Sequence, residues 1–126
     1  MKKEVIFTAN APAAIGPYSQ AVKSGGFLFT SGQLPIDPVT GKIPDGDIKL
    51  HAHQVFKNLK AIAEAAGTDL SSAVKTTVYL SSMKNFASVN EVYAEYFSEP
   101  FPARSAFQVA ELPLGADVEV EAVFSL

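Results

Sequence analysis

The segment Phe27-Leu28-Phe29-Thr30-Ser31 puts large apolar side chains on both faces of any strand it forms. Alternation at a period of two sends Phe27 and Phe29 one way and Leu28 the other. Val5 and Phe7 oppose Ile6 in the same manner, and Phe107 and Val109 oppose Ala106. A sheet built from such strands needs cover on both sides. The chain must therefore supply, or borrow, two layers.

How much it supplies depends on its helices. Val55, Leu59, Ile62 and Ala66 fall at helical spacing and predict a helix from Ile48 to Ala66, stopped by Gly67. A second stripe, Phe86, Val89, Tyr93 and Phe97, predicts a helix from Asn85 to Ser98, which Pro100 and Pro102 bar from continuing. Strands are expected at residues 4–8, 18–24, 27–32, 73–81, 104–109 and 117–125. Gly25-Gly26 suits the hairpin between the second and third. Val74, Thr76, Val78 and Leu80 should share one face of the fourth. Residues 35–47, with three prolines and two glycines, read as a loop. The order is β-β-β-α-β-α-β-β. Two helices cover one face of six strands, so the other is expected to meet a second copy of the chain. Scattered apolar surface residues are the competing account.

Length and composition narrow the classes. With 126 residues the chain fits a single domain, 1–126. Apolar residues at 48% and charged residues at 18% suit a packed core rather than disorder. A net charge of −3 argues against a general nucleic-acid binder. Cysteine is absent, which removes disulfides, thiolate nucleophiles and cysteine-built zinc sites. After Met1-Lys2-Lys3, the apolar run Val5 to Phe7 is too short for a secretory segment, and no run reaches the ~18 residues of a membrane span. A cytoplasmic location is expected.

Several patterns are weak. Gly32 to Gly41-Lys42 lacks the phosphate-loop spacing, and Ile43 stands where a magnesium-binding hydroxyl belongs. His51 and His53, two apart on a helix, point to nearly opposite sides, so they read as surface histidines rather than a metal clamp. Tyr18, Phe27, Phe29, Tyr79 and Phe97 read as core packing before a base-stacking platform.

Arg104 and the glutamates of the last strand stand out more. Arg104 follows the rigid turn Pro100-Phe101-Pro102 and enters an apolar strand. Its planar fork suits a ligand carboxylate, although an ion pair with an acid of the same chain is the cheaper account of the residue alone. In Val118-Glu119-Val120-Glu121-Ala122-Val123-Phe124, alternation gathers Val118, Val120, Ala122 and Phe124 on one face. Glu119 and Glu121 share the other with Val123. A carboxylate there serves either as a general base or as half of a structural ion pair.

Taken together, several segments resemble one family. Asn10-Ala11-Pro12-Ala13-Ala14-Ile15-Gly16-Pro17-Tyr18-Ser19-Gln20-Ala21 is similar to the opening signature of the RidA (YjgF) family, and Thr30-Ser31-Gly32-Gln33-Leu34-Pro35 to its third-strand exit. Val74 to Leu80, Phe86 to Tyr93, Pro102-Ala103-Arg104-Ser105 and Val118 to Ala122 follow in family order. The resemblance implies a chorismate-mutase-like (bacillary type) α+β fold: a six-stranded mixed sheet with two helices on one face. It also implies a homotrimer with a barrel-like core and sites at the subunit clefts.

The implied activity is hydrolytic deamination of 2-enamine and 2-imine acids, such as 2-aminoacrylate, to 2-keto acids and ammonia, without metal or organic cofactor. In that scheme Arg104 binds the substrate carboxylate and Glu119 activates the water, with Glu121, one pleat away, ranked second. Tyr18, Ser31, Gly32 and Asn90 line the pocket, Tyr18 from or facing a neighbouring subunit. Two other roles attach to such proteins: a non-catalytic trimer that binds 2-keto acids in metabolic or purine regulation, and an endoribonuclease or translation inhibitor. The acidic balance and the lack of a histidine pair count against the last. The chain departs from the family pattern at Ala106, where many relatives have cysteine. It also lacks the basic residues that relatives carry at Glu111 and after Pro113. These departures bear on substrate range.

Overall fold

The computed structural model describes residues 2–126. Six strands form one sheet: β1 (Glu4–Ile6), β2 (Ala21–Ser24), β3 (Phe27–Thr30), β4 (Ala73–Leu80), β5 (Ala103–Gln108) and β6 (Val118–Ser125). Their spatial order is β1-β2-β3-β6-β4-β5. All neighbours are antiparallel except β4 and β5, which are parallel. A parallel pair needs a crossover. Here α2 (Phe86–Tyr96) makes it. The expected α+β sheet, with two helices packed on one face, is the observed architecture.

Helix α1 (Ile48–Ala65) begins where Asp47 accepts a hydrogen bond from the Leu50 amide at 2.9 Å, a side-chain N-cap. Val55, Phe56, Leu59 and Ile62 are buried on its inner side, against Leu28, Val78, Val118, Val120 and Phe124 of the sheet. Each such side chain contributes about 1.5–3 kcal/mol by leaving water. Asn58 lies in the same stripe and is buried too. Its amide donates to the carbonyls of Leu34 and Ile36 at 3.1 and 3.0 Å, tying the proline-rich loop to the helix.

Strands β1 and β3 end earlier than expected, at Ile6 and Thr30, and α2 ends at Tyr96 rather than Ser98; two further departures have local causes. Strand β2 starts at Ala21 rather than 18, because the buried Gln20 side chain bonds the backbone at Thr8, Ala11 and Pro12 and organises the preceding segment as a loop. Val74 does not join Thr76, Val78 and Leu80. A bulge between Ala73 and Lys75 leaves Val74 exposed and turns Ala73 inward instead.

The face of the sheet away from the helices carries Phe27, Phe29 and Phe107, which are 42%, 44% and 45% exposed. Tyr18 is exposed as well, so of the five aromatics read as core only Phe97 is deeply buried. No helix among the described residues is long and apolar enough to cross a membrane.

Candidate active site

Strand register decides where Arg104 points. Thr76 pairs with Arg104 on one side and with Ala122 on the other, and side chains at paired positions share a face. Thr76 is fully buried under α2, its hydroxyl 2.7 Å from that of Tyr93. Arg104 therefore leaves edge strand β5 on the helix side. Its guanidinium carbon stands 4.8 Å from the Tyr93 ring centroid and 5.4 Å from that of Phe86, a cation–π arrangement. Its Nη1 donates to Asn90 Oδ1 at 2.7 Å. Among the described residues no carboxylate pairs with it, so the expected internal ion pair is not formed. Three neutral groups hold the cation and leave most of its five N–H donors uncommitted. Arg104, Asn90 and Tyr93 border a pocket of about 410 Å³ lined also by Ala94, Phe101 and Pro102. Burial raises the Tyr93 pKa, while the Thr76 hydrogen bond and the Arg104 charge lower it less.

Glu119 lies on the other face. It pairs with Tyr79, which pairs in turn with Phe107, and the two rings meet edge to face at 5.3 Å. Burial raises the Glu119 pKa above 4.5, and the charge of Glu121 raises it further. Gly32 leaves room for its carboxylate: a Cβ built there would overlap Oε2 and fall 2.8 Å from Cδ. Just beyond, Gln33 and Val120 exchange backbone hydrogen bonds of 2.8 and 3.1 Å, which lock Gly32 against β6. Ser31 donates its hydroxyl to the Ser19 carbonyl at 2.5 Å, and the Tyr18 hydroxyl accepts from the Ile15 amide at 3.3 Å. Tyr18, Ser31, Gly32 and Glu119 thus line one pocket of about 560 Å³, with Ile15, Leu34 and Leu114 on its apolar side.

The six positions singled out in the sequence form two groups. Arg104 and Asn90 make one; Tyr18, Ser31, Gly32 and Glu119 make the other. Within one chain these groups line different pockets and project from opposite faces of the sheet. Glu121 lies outside both. Its charge acts on Tyr79, whose pKa is raised by burial first and by Glu121 second.

Sequence reasoning missed the Phe86–Tyr93 ring support of Arg104 and the role of Gln20 in shaping the Tyr18 loop. Tyr93 had been assigned only to the helix stripe; a hydroxyl inside an apolar stripe was the available signal. It also misplaced His51, which is no surface histidine. Its Nδ1 meets Asp117 at 2.9 Å and its Nε2 meets the Pro44 carbonyl at 2.7 Å, with the side chain largely buried. His53 is more open, 2.9 Å from the Tyr96 hydroxyl.

Comparison with known proteins agrees with this fold. Residues 8–125 match the family model described as Endoribonuclease L-PSP. A RutC family protein of Pyrococcus horikoshii is 60% identical over 96% of both chains. The 2-iminobutanoate/2-iminopropanoate deaminase of Mus musculus is 50% identical over 96% of this chain and 90% of its own. The crystal structure of RidA from an Antarctic Psychrobacter superposes with a TM-score of 0.93 at 50% identity, covering 98% of this chain and 99% of that one. The chain belongs to the RidA (YjgF) family.

Proposed function

We propose that the protein hydrolyses 2-imino acids, and the enamines that tautomerise to them, to 2-keto acids and ammonia. The observation that carries this reading is the Arg104 guanidinium, held by two rings and an amide with no acid paired to it among the described residues, facing a pocket. A fork so presented fits a substrate carboxylate through two parallel hydrogen bonds. Relatives named deaminases at about 50% identity support the same chemistry.

The reaction is R–C(=NH)–COO⁻ + H₂O → R–CO–COO⁻ + NH₃. Arg104 fixes the carboxylate, and Glu119 orients a water over the imine carbon and takes its proton as the C–O bond forms. Glu119 returns that proton to nitrogen, and as the C–N bond breaks the new hydroxyl passes its own proton to the departing nitrogen, so that both protons of the water leave in ammonia. A pKa raised by burial suits a carboxyl that must take a proton and return it. Because Arg104 and Glu119 project from opposite faces, the reading includes assembly: Arg104 and Asn90 of one chain meet Glu119, Gly32, Ser31 and Tyr18 of the next. A homotrimer built across the exposed Phe27, Phe29 and Phe107 satisfies this requirement.

The test is to generate 2-aminoacrylate with a dehydratase and follow keto-acid release. Arg104→Ala should remove the acceleration. Glu119→Gln should reduce kcat by about 10²–10⁴-fold with assembly unchanged. Wild-type rates in both variants would refute the assignment, as would tight 2-keto-acid binding with no turnover. RNA cleavage abolished by Arg104→Ala would instead favour the nuclease activity that the family description names.

A further inference from the structure

The turn Pro113–Ala116 breaks a local rule. The Ala116 amide closes it on the Pro113 carbonyl at 3.1 Å, and both central residues have left-handed backbone: Leu114 at φ 59°, ψ 21° and Gly115 at φ 67°. Such a turn favours Asn-Gly or Gly-Gly, since only those residues adopt both conformations without steric cost. Leu114 is the only non-glycine with positive φ among the described residues. A bulky residue in that region is strained. Burial does not offset the strain within the chain, because Leu114 remains 73% exposed.

What the strain achieves is position. Leu114 lines the Glu119 pocket together with Ile15, which is itself 87% exposed, and with Leu34 and Ile36. The pocket is far larger than a three-carbon acid fills, and its lining holds no Lys, Arg or His. Glu119 is its one carboxylate. We infer that Leu114, with Ile15, selects the substrate side chain, and that this site takes 2-imino acids with branched apolar side chains in preference to acidic ones. A branched aliphatic chain leaves water against four apolar side chains. With Arg104 of the next chain committed to the carboxylate that every 2-imino acid shares, a second carboxylate on the side chain would meet no further cation in this lining and would be repelled by Glu119. The inference rests on the imine-deaminase reading for its reaction, but the selectivity belongs to the pocket and appears in binding as well.

The experiment uses the full chain and an amino-acid oxidase that releases 2-imino acids from leucine, alanine or glutamate. Wild-type kcat/KM for the leucine-derived imine should exceed that for the glutamate-derived one by at least ~10-fold. Leu114→Lys should bring that ratio close to one. Leu114→Asn and Leu114→Gly should lose the leucine preference while keeping a Tm at or above wild type, because both residues accept the left-handed backbone. A residue serving stability alone would show the opposite pairing.

Equal wild-type rates on both side chains, or an unchanged ratio in all three variants, would overturn the proposal. So would dissociation of the Leu114→Lys assembly in sedimentation, which would assign Leu114 to subunit contact. If wild type accelerates no imine, the deaminase reading fails by itself. The pocket is then judged by calorimetry with 4-methyl-2-oxopentanoate and 2-oxoglutarate, where the same preference must appear in Kd and shrink in Leu114→Lys.

Discussion

Arg104 and Glu119 leave the same sheet from opposite faces, Arg104 beside buried Thr76 under α2 and Glu119 beside Tyr79 on the side without helices. A reaction that needs both must take them from two chains. This separates the two-chain site from any single-chain alternative. In the trimer proposed above, each site would draw Arg104 from one subunit and Glu119 from the next around the ring. Arg104→Ala and Glu119→Gln subunits, each inactive alone, should regain activity when unfolded together and reassembled. Random equal mixing leaves about one quarter of sites with both native side chains, so about a quarter of wild-type activity is expected. If one chain supplied both groups, no mixture would hold an intact site, and the recovered activity would be nil.

Gly32 supplies the space that the Glu119 carboxylate occupies. Gly32→Ala forces a methyl group onto Oε2, and Glu119 must swing away. The backbone there is held by the Gln33–Val120 bridge and cannot retreat freely. A displacement of about 1 Å at a reacting group costs about 10²-fold in rate. Imine hydrolysis by Gly32→Ala should therefore fall by about that factor, while a circular dichroism melt shows the fold retained. Wild-type kinetics in this variant would mean that Glu119 does not act from its present position.

His51 should give stability a pH dependence. The Pro44 carbonyl and the Asp117 carboxylate are both acceptors, so both ring nitrogens must donate, and the ring they bind best is the imidazolium. Burial alone would lower the His51 pKa. The hydrogen bonds to Asp117 and Pro44, with the Asp117 charge, outweigh it and raise the value above 6.5. A base whose folded pKa is raised contributes its full stability below the unfolded value and loses it as pH rises through the folded value. The Tm advantage of wild type over His51→Gln should be largest below pH 6.5 and shrink above it. Melts from about pH 5 to 9 check this, and an advantage that grows with pH would contradict the pairing.

The sequence carried those features whose cause is local periodicity. The α1 stripe and the alternation of Val118 to Phe124 were legible because burial follows the repeat of the element. Val74 was not, since a bulge shifts the pleat by one and leaves no mark in the alternation. Nor was the start of β2, where the Gln20 side chain competes for backbone partners in an otherwise strand-like stretch. Arg104 and Glu119 could be named from their residue types and the family pattern. Their relation could not, because it follows from the strand order β3-β6-β4-β5 and from which side of Thr76 and Tyr79 each lies. Arg104 shows the limit most clearly. The cheap expectation was an acid from the same chain, whereas rings from α2 and an amide hold it, and no spacing rule specifies that arrangement.

Glu121 lies outside the Glu119 pocket, yet its charge acts on the proposed base. Both carboxylates share the open face of β6, where Tyr79 pairs with Glu119 and Thr77 with Glu121 across the strands. Burial raises the Glu119 pKa first, and the Glu121 charge adds to it. A general base works only when deprotonated, so kcat/KM should fall on the acid side as Glu119 takes up a proton, at a pH above 4.5. Glu121→Gln removes the neighbouring negative charge and keeps the shape. The Glu119 carboxyl then ionises more readily, and the acid limb of the pH–rate profile should move to lower pH with little change in the plateau. Glu119→Gln should lack that limb altogether. An acid limb unmoved by Glu121→Gln would show that the two carboxylates do not interact, and one retained in Glu119→Gln would assign the titration to another group.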